Sequence, residues 1–99
     1  MNLLSPEPSG KLRRRIVFHG DVQGVGFRWQ AKEAANAVGA AGWVRNEWDG
    51  TVTMELQGNE EQINAVIRTL KQDRWIRIDR MDITELPLEK NERSFSVRF

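Results

Sequence analysis

The chain has 99 residues, which suits a single domain built around one hydrophobic core. Its 15 basic and 14 acidic residues leave a formal net charge of +1, which is too balanced to attract nucleic acid or membranes by bulk electrostatics. The absence of cysteine excludes a disulfide scaffold, a thiolate zinc site and a cysteine nucleophile, and it favours a reducing cytoplasm as the location.

The first residues, 1–10, are predicted to be a flexible tail, because prolines, serines and a glycine occur there without the apolar run of a secretory signal. Residues 11–99 then form the single predicted domain. No run of the sequence is long and apolar enough to span a membrane. Lys11 and the arginines at 13, 14 and 15 form a basic cluster just before the first predicted strand. A nucleic-acid patch and a solvated strand edge both account for this cluster, and we favour the strand edge.

The spacing of apolar residues predicts the first strand and the first helix. The strand covers about residues 14–20, and alternation puts Ile16 and Phe18 on one face and Val17 on the other. From residue 27 onward the apolar residues follow one face of a helix, and Gly39 stands where a left-handed helix cap is expected. The apolar positions of this helix are Phe27, Ala31, Ala34, Ala35 and Val38.

A loop with three glycines, Gly20, Gly24 and Gly26, joins this strand to the helix. Glycine permits positive φ angles and a close approach of a ligand, and the free N–H groups at the start of a helix favour an anion. Arg28 falls in the first helical turn, where its guanidinium can make bidentate bonds to a phosphate or a carboxylate. A tight turn beside a solvated arginine explains the same spacing equally well.

A hairpin follows the first helix. Residues 42–46 are predicted to be the second strand, 47–50 a turn and 51–57 the third strand. The pair Asp49-Gly50 is typical of such a turn. Apolar and polar residues alternate along the third strand, which predicts a sheet with one covered and one wetter face.

The second half of the chain is predicted to contain one helix and two strands. Asn59 is expected to cap the helix, with Gln62 three residues later completing a capping box. A fourth strand is predicted over residues 75–85, with a bend or bulge, because the apolar spacing slips by one between Ile78 and Met81. A terminal strand is predicted from the alternation of Phe95, Val97 and Phe99 with polar residues.

The predicted order of elements is therefore βαββαβ plus a terminal strand. Two helices on one face of a mostly antiparallel sheet form the ferredoxin-like, split βαβ arrangement of the α+β class. Because many unrelated functions use this fold, the fold does not decide the function.

Two segments resemble the signature segments of the acylphosphatase family: residues 20–28, GDVQGVGFR, and residues 42–52, GWVRNEWDGTV, with Gly58 beyond. The resemblance covers roughly residues 16–99. It implies a small enzyme that hydrolyses the carboxyl–phosphate bond of acyl phosphates to a carboxylate and inorganic phosphate. It also implies that the first loop and Arg28 hold the phosphate and that Asn46 orients the attacking water. The implied phosphate-binding residues are Asp21, Val22, Gln23, Gly24, Val25, Gly26 and Arg28, and the implied catalytic residues are Arg28 and Asn46.

The chemistry available in the sequence agrees with this implication. No cluster of carboxylates and histidines has the spacing of a metal site, so we expect neither a metal nor another cofactor. An acyl phosphate is readily cleaved because its leaving group is a carboxylate, whose conjugate acid has a pKa of about 4. Positioning a water and spreading the phosphoryl charge over fixed donors can then suffice. We expect a monomer whose partners are an acyl phosphate and inorganic phosphate, without a membrane or nucleic-acid partner.

Several residues allow other interpretations. Asn46 could merely satisfy backbone groups near a turn. His19 is predicted to be an ordinary polar strand residue rather than a general base. The four tryptophans, Trp29, Trp43, Trp48 and Trp75, are predicted to be core and edge residues rather than an RNA-stacking platform. The alternative function is a non-catalytic module of the same fold that binds an anionic ligand, an RNA or a protein through the first loop.

Overall fold

The computed structural model describes residues 10–99. The predicted tail, residues 1–10, lies outside the described residues except for Gly10. The observed elements are β1 (Leu12–Asp21), α1 (Phe27–Val38), β2 (Ala41–Asn46), β3 (Val52–Gly58), α2 (Glu60–Gln72), β4 (Arg77–Leu86) and β5 (Phe95–Arg98). This order confirms the predicted βαββαβ arrangement with a terminal strand.

The strands form one five-stranded sheet in the order β4-β1-β3-β2-β5. β1 pairs antiparallel with β3 and β4, and β2 pairs antiparallel with β3. The terminal strand β5 runs parallel to β2. The mixed but mostly antiparallel sheet confirms the ferredoxin-like, α+β prediction.

The hydrophobic core lies between the sheet and both helices. Alternate residues of β1 and β3 share this core with the apolar faces of α1 and α2. The rings of Phe18 and Phe27 lie with their centroids 4.9 Å apart. Since Phe18 is near the end of β1 and Phe27 begins α1, this contact anchors both ends of the glycine loop.

The other face of the sheet is not wet along β3, and that prediction was wrong. The three polar residues of this face are buried: Thr53, Glu55 and Gln57. Glu55 accepts hydrogen bonds from Arg13 at 3.0 Å and from Arg15 at 2.6 Å. Burial acts to raise the pKa of Glu55, but the hydrogen bonds from Arg15 and Arg13 outweigh it and lower the pKa below its ordinary value. These ion pairs therefore offset the desolvation cost of burying the charged side chains on this face.

The basic cluster is not an open strand edge. Its arginines lie within β1, which has a neighbour on each side, and Arg13 is only 2% exposed. Arg13 also bonds Glu92 at 2.7 Å, and Arg14 bonds Glu85 at 2.6 Å. Carboxylates therefore neutralise these arginines, which leaves no unpaired arginine there for nucleic acid.

The predicted irregularity of the fourth strand is confirmed. Along β1, His19 lies opposite Arg80 but the next residue, Gly20, lies opposite Ile78. Asp79 is therefore the extra residue of a β-bulge. The strand itself begins at Arg77, before Ile78.

The capping box of α2 is also confirmed. The Asn59 side chain accepts from the Gln62 N–H at 2.8 Å, and the Gln62 side chain accepts from the Asn59 N–H at 2.7 Å. Gln62 Nε2 further donates to the carbonyl of Val38, the last residue of α1, at 2.7 Å. One glutamine therefore starts α2 and ties it to the end of α1.

Gly42 is expected to be irreplaceable because β2 passes close to β3 there. Its φ is +139°, and a Cβ would overlap the carbonyl oxygen of Glu55. Gly42→Ala should lower the free energy of unfolding by about 3 kcal/mol or more, from overpacking and backbone strain together.

Gly50→Ala is the matched control: its φ is +92°, but a Cβ would meet nothing within 4 Å. Its cost should be about 1–2 kcal/mol of backbone strain alone. Urea denaturation of both variants checks the difference, and equal losses would contradict the proposed overlap.

Candidate active site

A cavity of about 390 Å³ opens where the loop between β1 and α1 meets the ends of β2 and β5. It brings together Arg28, Asn46 and three loop residues that the sequence analysis singled out. The complete lining is Val22, Gly24, Gly26, Phe27, Arg28, Trp29, Lys32, Asn46, Val97 and Phe99. Three larger cavities, of about 560, 500 and 470 Å³, contain none of the predicted site residues; the first two border residues 88–92 and the third lies beside α2.

The loop approaches the cavity with backbone that glycine permits. Gly24 has a φ of +73° and Gly26 a φ of +81°, both in the left-handed region. Gly26 is the N-cap of α1, and no side chain caps this end of the helix. The first-turn N–H groups are therefore left for an external acceptor, and the helix dipole favours an anionic one.

Arg28 is half-buried in the first turn of α1 and keeps its positive charge unpaired. Its guanidinium carbon lies 4.8 Å from the centre of the Phe99 ring, and no carboxylate within residues 10–99 pairs with it. Other arginines of the domain do have carboxylate partners: Arg13, Arg14, Arg15, Arg45, Arg77 and Arg80. A free guanidinium beside a helix N-terminus is a site for a phosphate or a carboxylate.

Asn46 ends β2 and lines the same cavity. Its Oδ1 atom is buried and has no hydrogen-bond partner in the described part of the chain. Leaving a buried acceptor unsatisfied costs about 1–3 kcal/mol. The alternative role, satisfying backbone N–H groups of the turn, does not fit because this oxygen accepts from none of them. A donor that occupies the cavity would satisfy it.

Gln23 joins the loop to the hairpin that carries Asn46. Its Nε2 donates to the carbonyl of Glu47 at 2.6 Å and to the carbonyl of Thr51 at 2.8 Å. The hairpin turn is closed there by the Glu47 N–H, which donates to the Thr51 carbonyl at 2.9 Å. The side chain of Gln23 is therefore engaged with the hairpin, and Gln23 does not line the cavity.

Two other residues of the predicted phosphate site do not line the cavity. Asp21 accepts a hydrogen bond from Arg77 at 2.6 Å, so its charge is paired outside the cavity. Val25 packs against the hydrophobic core. Asp21 is the last residue of β1 and Val25 lies in the loop that follows, and neither residue lines the cavity.

The sequence analysis did not assign five residues of the cavity to the site: Phe27, Trp29, Lys32, Val97 and Phe99. Lys32 could have been found, since it lies four residues after Arg28 on the same helix face. Val97 and Phe99 could not, because they reach the cavity only through the parallel pairing of β5 with β2.

Other residues that could take part in binding or catalysis lie away from this cavity. His19 Nε2 lies 2.9 Å from Asp82 Oδ2 on the strand surface, as expected of a polar strand residue. Trp43 is buried, while Trp29, Trp48 and Trp75 are exposed on α1, on the hairpin turn and before β4.

Among the residues that the structure describes, no three His, Asp or Glu side chains could hold a metal ion together. No described helix is long and apolar enough to cross a membrane.

Acylphosphatases are among the known proteins that resemble this chain in sequence and in structure. A family model described as Acylphosphatase matches residues 14–97. The acylphosphatase of Bifidobacterium longum is 37% identical over 89 residues, covering 88% of this chain and 92% of that one. The acylphosphatase of Ligilactobacillus salivarius is 38% identical over 87 residues, covering 86% and 96%.

The structural comparison agrees with the sequence comparison. The crystal structure of an acylphosphatase from Bacillus subtilis superimposes with a TM-score of 0.81 at 30% identity, covering 89% of this chain and 99% of that one. Full-length HypF in its phosphate- and nucleotide-bound form superimposes with a TM-score of 0.80 at 29% identity, covering 99% of this chain but only 13% of that one.

Gln23→Met should separate positioning from stability. The variant keeps the side-chain length but loses both donors to the hairpin carbonyls, so the free energy of unfolding should fall by about 1–3 kcal/mol. Looser placement of the loop against Asn46 should also lower kcat at least about tenfold for benzoyl phosphate, an acyl phosphate of the kind that the sequence resemblance implies.

Gln30→Met is the matched control for this variant. Gln30 Nε2 donates to Asp73 at 2.6 Å, away from the hairpin, so its loss should cost stability without lowering kcat. If Gln23→Met loses stability but keeps its kcat, the bond from Gln23 only supports the fold.

Proposed function

The chain belongs to the acylphosphatase family and hydrolyses acyl phosphates, and on this premise we propose that the β1–α1 loop and Arg28 bind the phosphoryl group while Asn46 orients the attacking water. One observation carries the proposal. An unpaired guanidinium and a buried amide oxygen without a partner among residues 10–99 line the same cavity. A phosphoryl group with an attacking water supplies what each of them lacks.

The phosphoryl oxygens are held by backbone and guanidinium together. Backbone N–H groups of residues 21–26 and of the first turn of α1 donate to them, and the planar fork of Arg28 adds bidentate, charge-assisted bonds. These donors are fixed before the substrate arrives. They therefore stabilise the charge that spreads over the phosphoryl oxygens in the transition state.

The attacking water donates to Oδ1 of Asn46. The water oxygen forms a bond to phosphorus while the bond from phosphorus to the acyl oxygen breaks, and the electron pair leaves with the carboxylate. With both hydrogen atoms of the water on the released phosphate, the atoms balance without a base from the protein. Asn46 then acts by orientation, and the low basicity of the carboxylate makes departure easy.

The non-catalytic alternative is less well supported by these residues. A module that only binds an anion needs Arg28 and the loop but has no use for a buried acceptor beside them. We further propose that the protein acts as a cytoplasmic monomer without a metal, another cofactor or a nucleic-acid partner. The exposed tryptophans support the last point, because Trp29, Trp48 and Trp75 lie off the sheet face that stacks bases in RNA-binding modules.

Arg28→Lys should show that the shape of the cation matters. Lysine keeps the charge and loses the planar fork, so kcat/KM for benzoyl phosphate should fall at least about tenfold. Thermal stabilisation by inorganic phosphate should shrink with it, at constant ionic strength set by chloride. Arg68→Lys, on the exposed face of α2, is the control and should change neither quantity. Near-normal activity of Arg28→Lys would remove the bidentate contact from the proposal.

Asn46→Ala should lower kcat and leave phosphate affinity nearly unchanged. Loss of the acceptor removes the orientation of the water, and we expect a fall of about one hundredfold, which corresponds to about 2.7 kcal/mol. Inorganic phosphate should still inhibit at a similar concentration. Both are measured with benzoyl phosphate in the presence of a chelator, with Asn64→Ala on α2 as the control. An unchanged kcat would exclude Asn46 from the mechanism, and lost inhibition would make it a ligand of the anion.

A further inference from the structure

The cavity around Arg28 and Asn46 is larger than a phosphoryl group requires. Five non-hydrogen atoms, each given the roughly 30 Å³ of a liquid water, would occupy on the order of 150 Å³. The cavity holds about 390 Å³. The space left in the cavity beside a bound phosphoryl group is therefore large enough for part of the acyl group.

The wall beyond the phosphoryl site combines apolar surface with one cation. Trp29, Val97 and Phe99 supply the apolar part, and Lys32 supplies an ammonium group. These four residues are referred to below as the acyl subsite. Lys32 lies one helical turn beyond Arg28, which puts the two cations side by side along α1.

Lys32 has no counterion in the structure around it. The lining of the cavity contains no aspartate or glutamate, and Lys32 forms no ion pair with any residue between 10 and 99. The phosphoryl charge is already met by the loop N–H groups and by Arg28. The charge of Lys32 therefore remains available to another anionic group of the same ligand.

We propose that the acyl subsite selects acyl phosphates whose acyl group has an apolar body and a second anionic group, a carboxylate or a phosphate, which pairs with Lys32. This inference rests on the proposed function, because it takes the phosphoryl group to lie on the loop and Arg28. The apolar body lies against Trp29, Val97 and Phe99. Lys32 acts on substrate binding and takes no part in bond breaking, so its contribution appears in KM.

Two substrates that differ only at the far end of the acyl group test the inference: benzoyl phosphate and 4-carboxybenzoyl phosphate. Lys32→Gln should raise KM for 4-carboxybenzoyl phosphate about fivefold, the scale of a partly exposed ion pair, and leave kcat unchanged. KM for benzoyl phosphate should stay within about twofold, because its ring offers Lys32 no anionic partner. Lys32→Glu should raise KM for the carboxylated substrate further through like-charge repulsion.

Lys90→Gln is the matched control, because Lys90 borders the cavity of residues 88–92 and not the site. It removes the same charge with the same substitution and should change neither KM. Circular dichroism and thermal unfolding should show that all variants keep the fold.

Each other outcome overturns the inference. An equal rise of KM for both substrates would mean that Lys32 acts on the phosphoryl group or through overall charge. No rise for either substrate would mean that Lys32 is only solvated. Failure of the proposed function is seen separately, since it would appear as unchanged kcat of Asn46→Ala with both substrates whatever the response of Lys32→Gln.

Discussion

The geometry of the site depends on the position of Val52 in the sheet. Val52 lies opposite Phe18 of β1 on one side and opposite Asn46 of β2 on the other. Because neighbouring strands are about 4.8 Å apart, the end of β1 and Asn46 are held about 10 Å from each other by backbone pairing alone. The contact between Phe18 and Phe27 then fixes the start of α1, and with it Arg28, relative to the same residue. Cation and acceptor are thus set by the sheet before any loop residue contributes.

Paired and unpaired charges distinguish the scaffold from the site. On the sheet face opposite the helices, Arg13 and Arg15 share Glu55, and Arg13 also reaches Glu92. These ion pairs hold residues 88–92 against the sheet and leave little net charge there. Arg28 and Lys32 instead face a cavity whose lining contains no aspartate or glutamate. A chain with a net charge of only +1 can therefore still present a positive site, because the charges are distributed unevenly.

Local signals in the sequence predicted the parts of the molecule that local interactions determine. The glycine loop, the capping box of Asn59 and Gln62, and the bulge before Met81 each follow from a few neighbouring residues, and the family resemblance pointed to Arg28 and Asn46. The burial of Arg13 could not be predicted, because it requires knowing that β1 is a central strand and that Glu55 and Glu92 converge on it. The bond from Gln23 to the hairpin and the contact of Phe99 with Arg28 were hidden for the same reason. They depend on which segments become neighbours in space.

The parallel pairing of β5 with β2 has a consequence for folding kinetics. Gly42 pairs with Phe95, more than fifty positions further along the chain, so this contact closes a long loop. Such non-local contacts carry a large entropic cost and slow the search for the native state. Without β5 in place, Arg28 and Asn46 would lack Val97 and Phe99, and hence one wall of the cavity. The complete cavity therefore forms only once β5 has paired with β2.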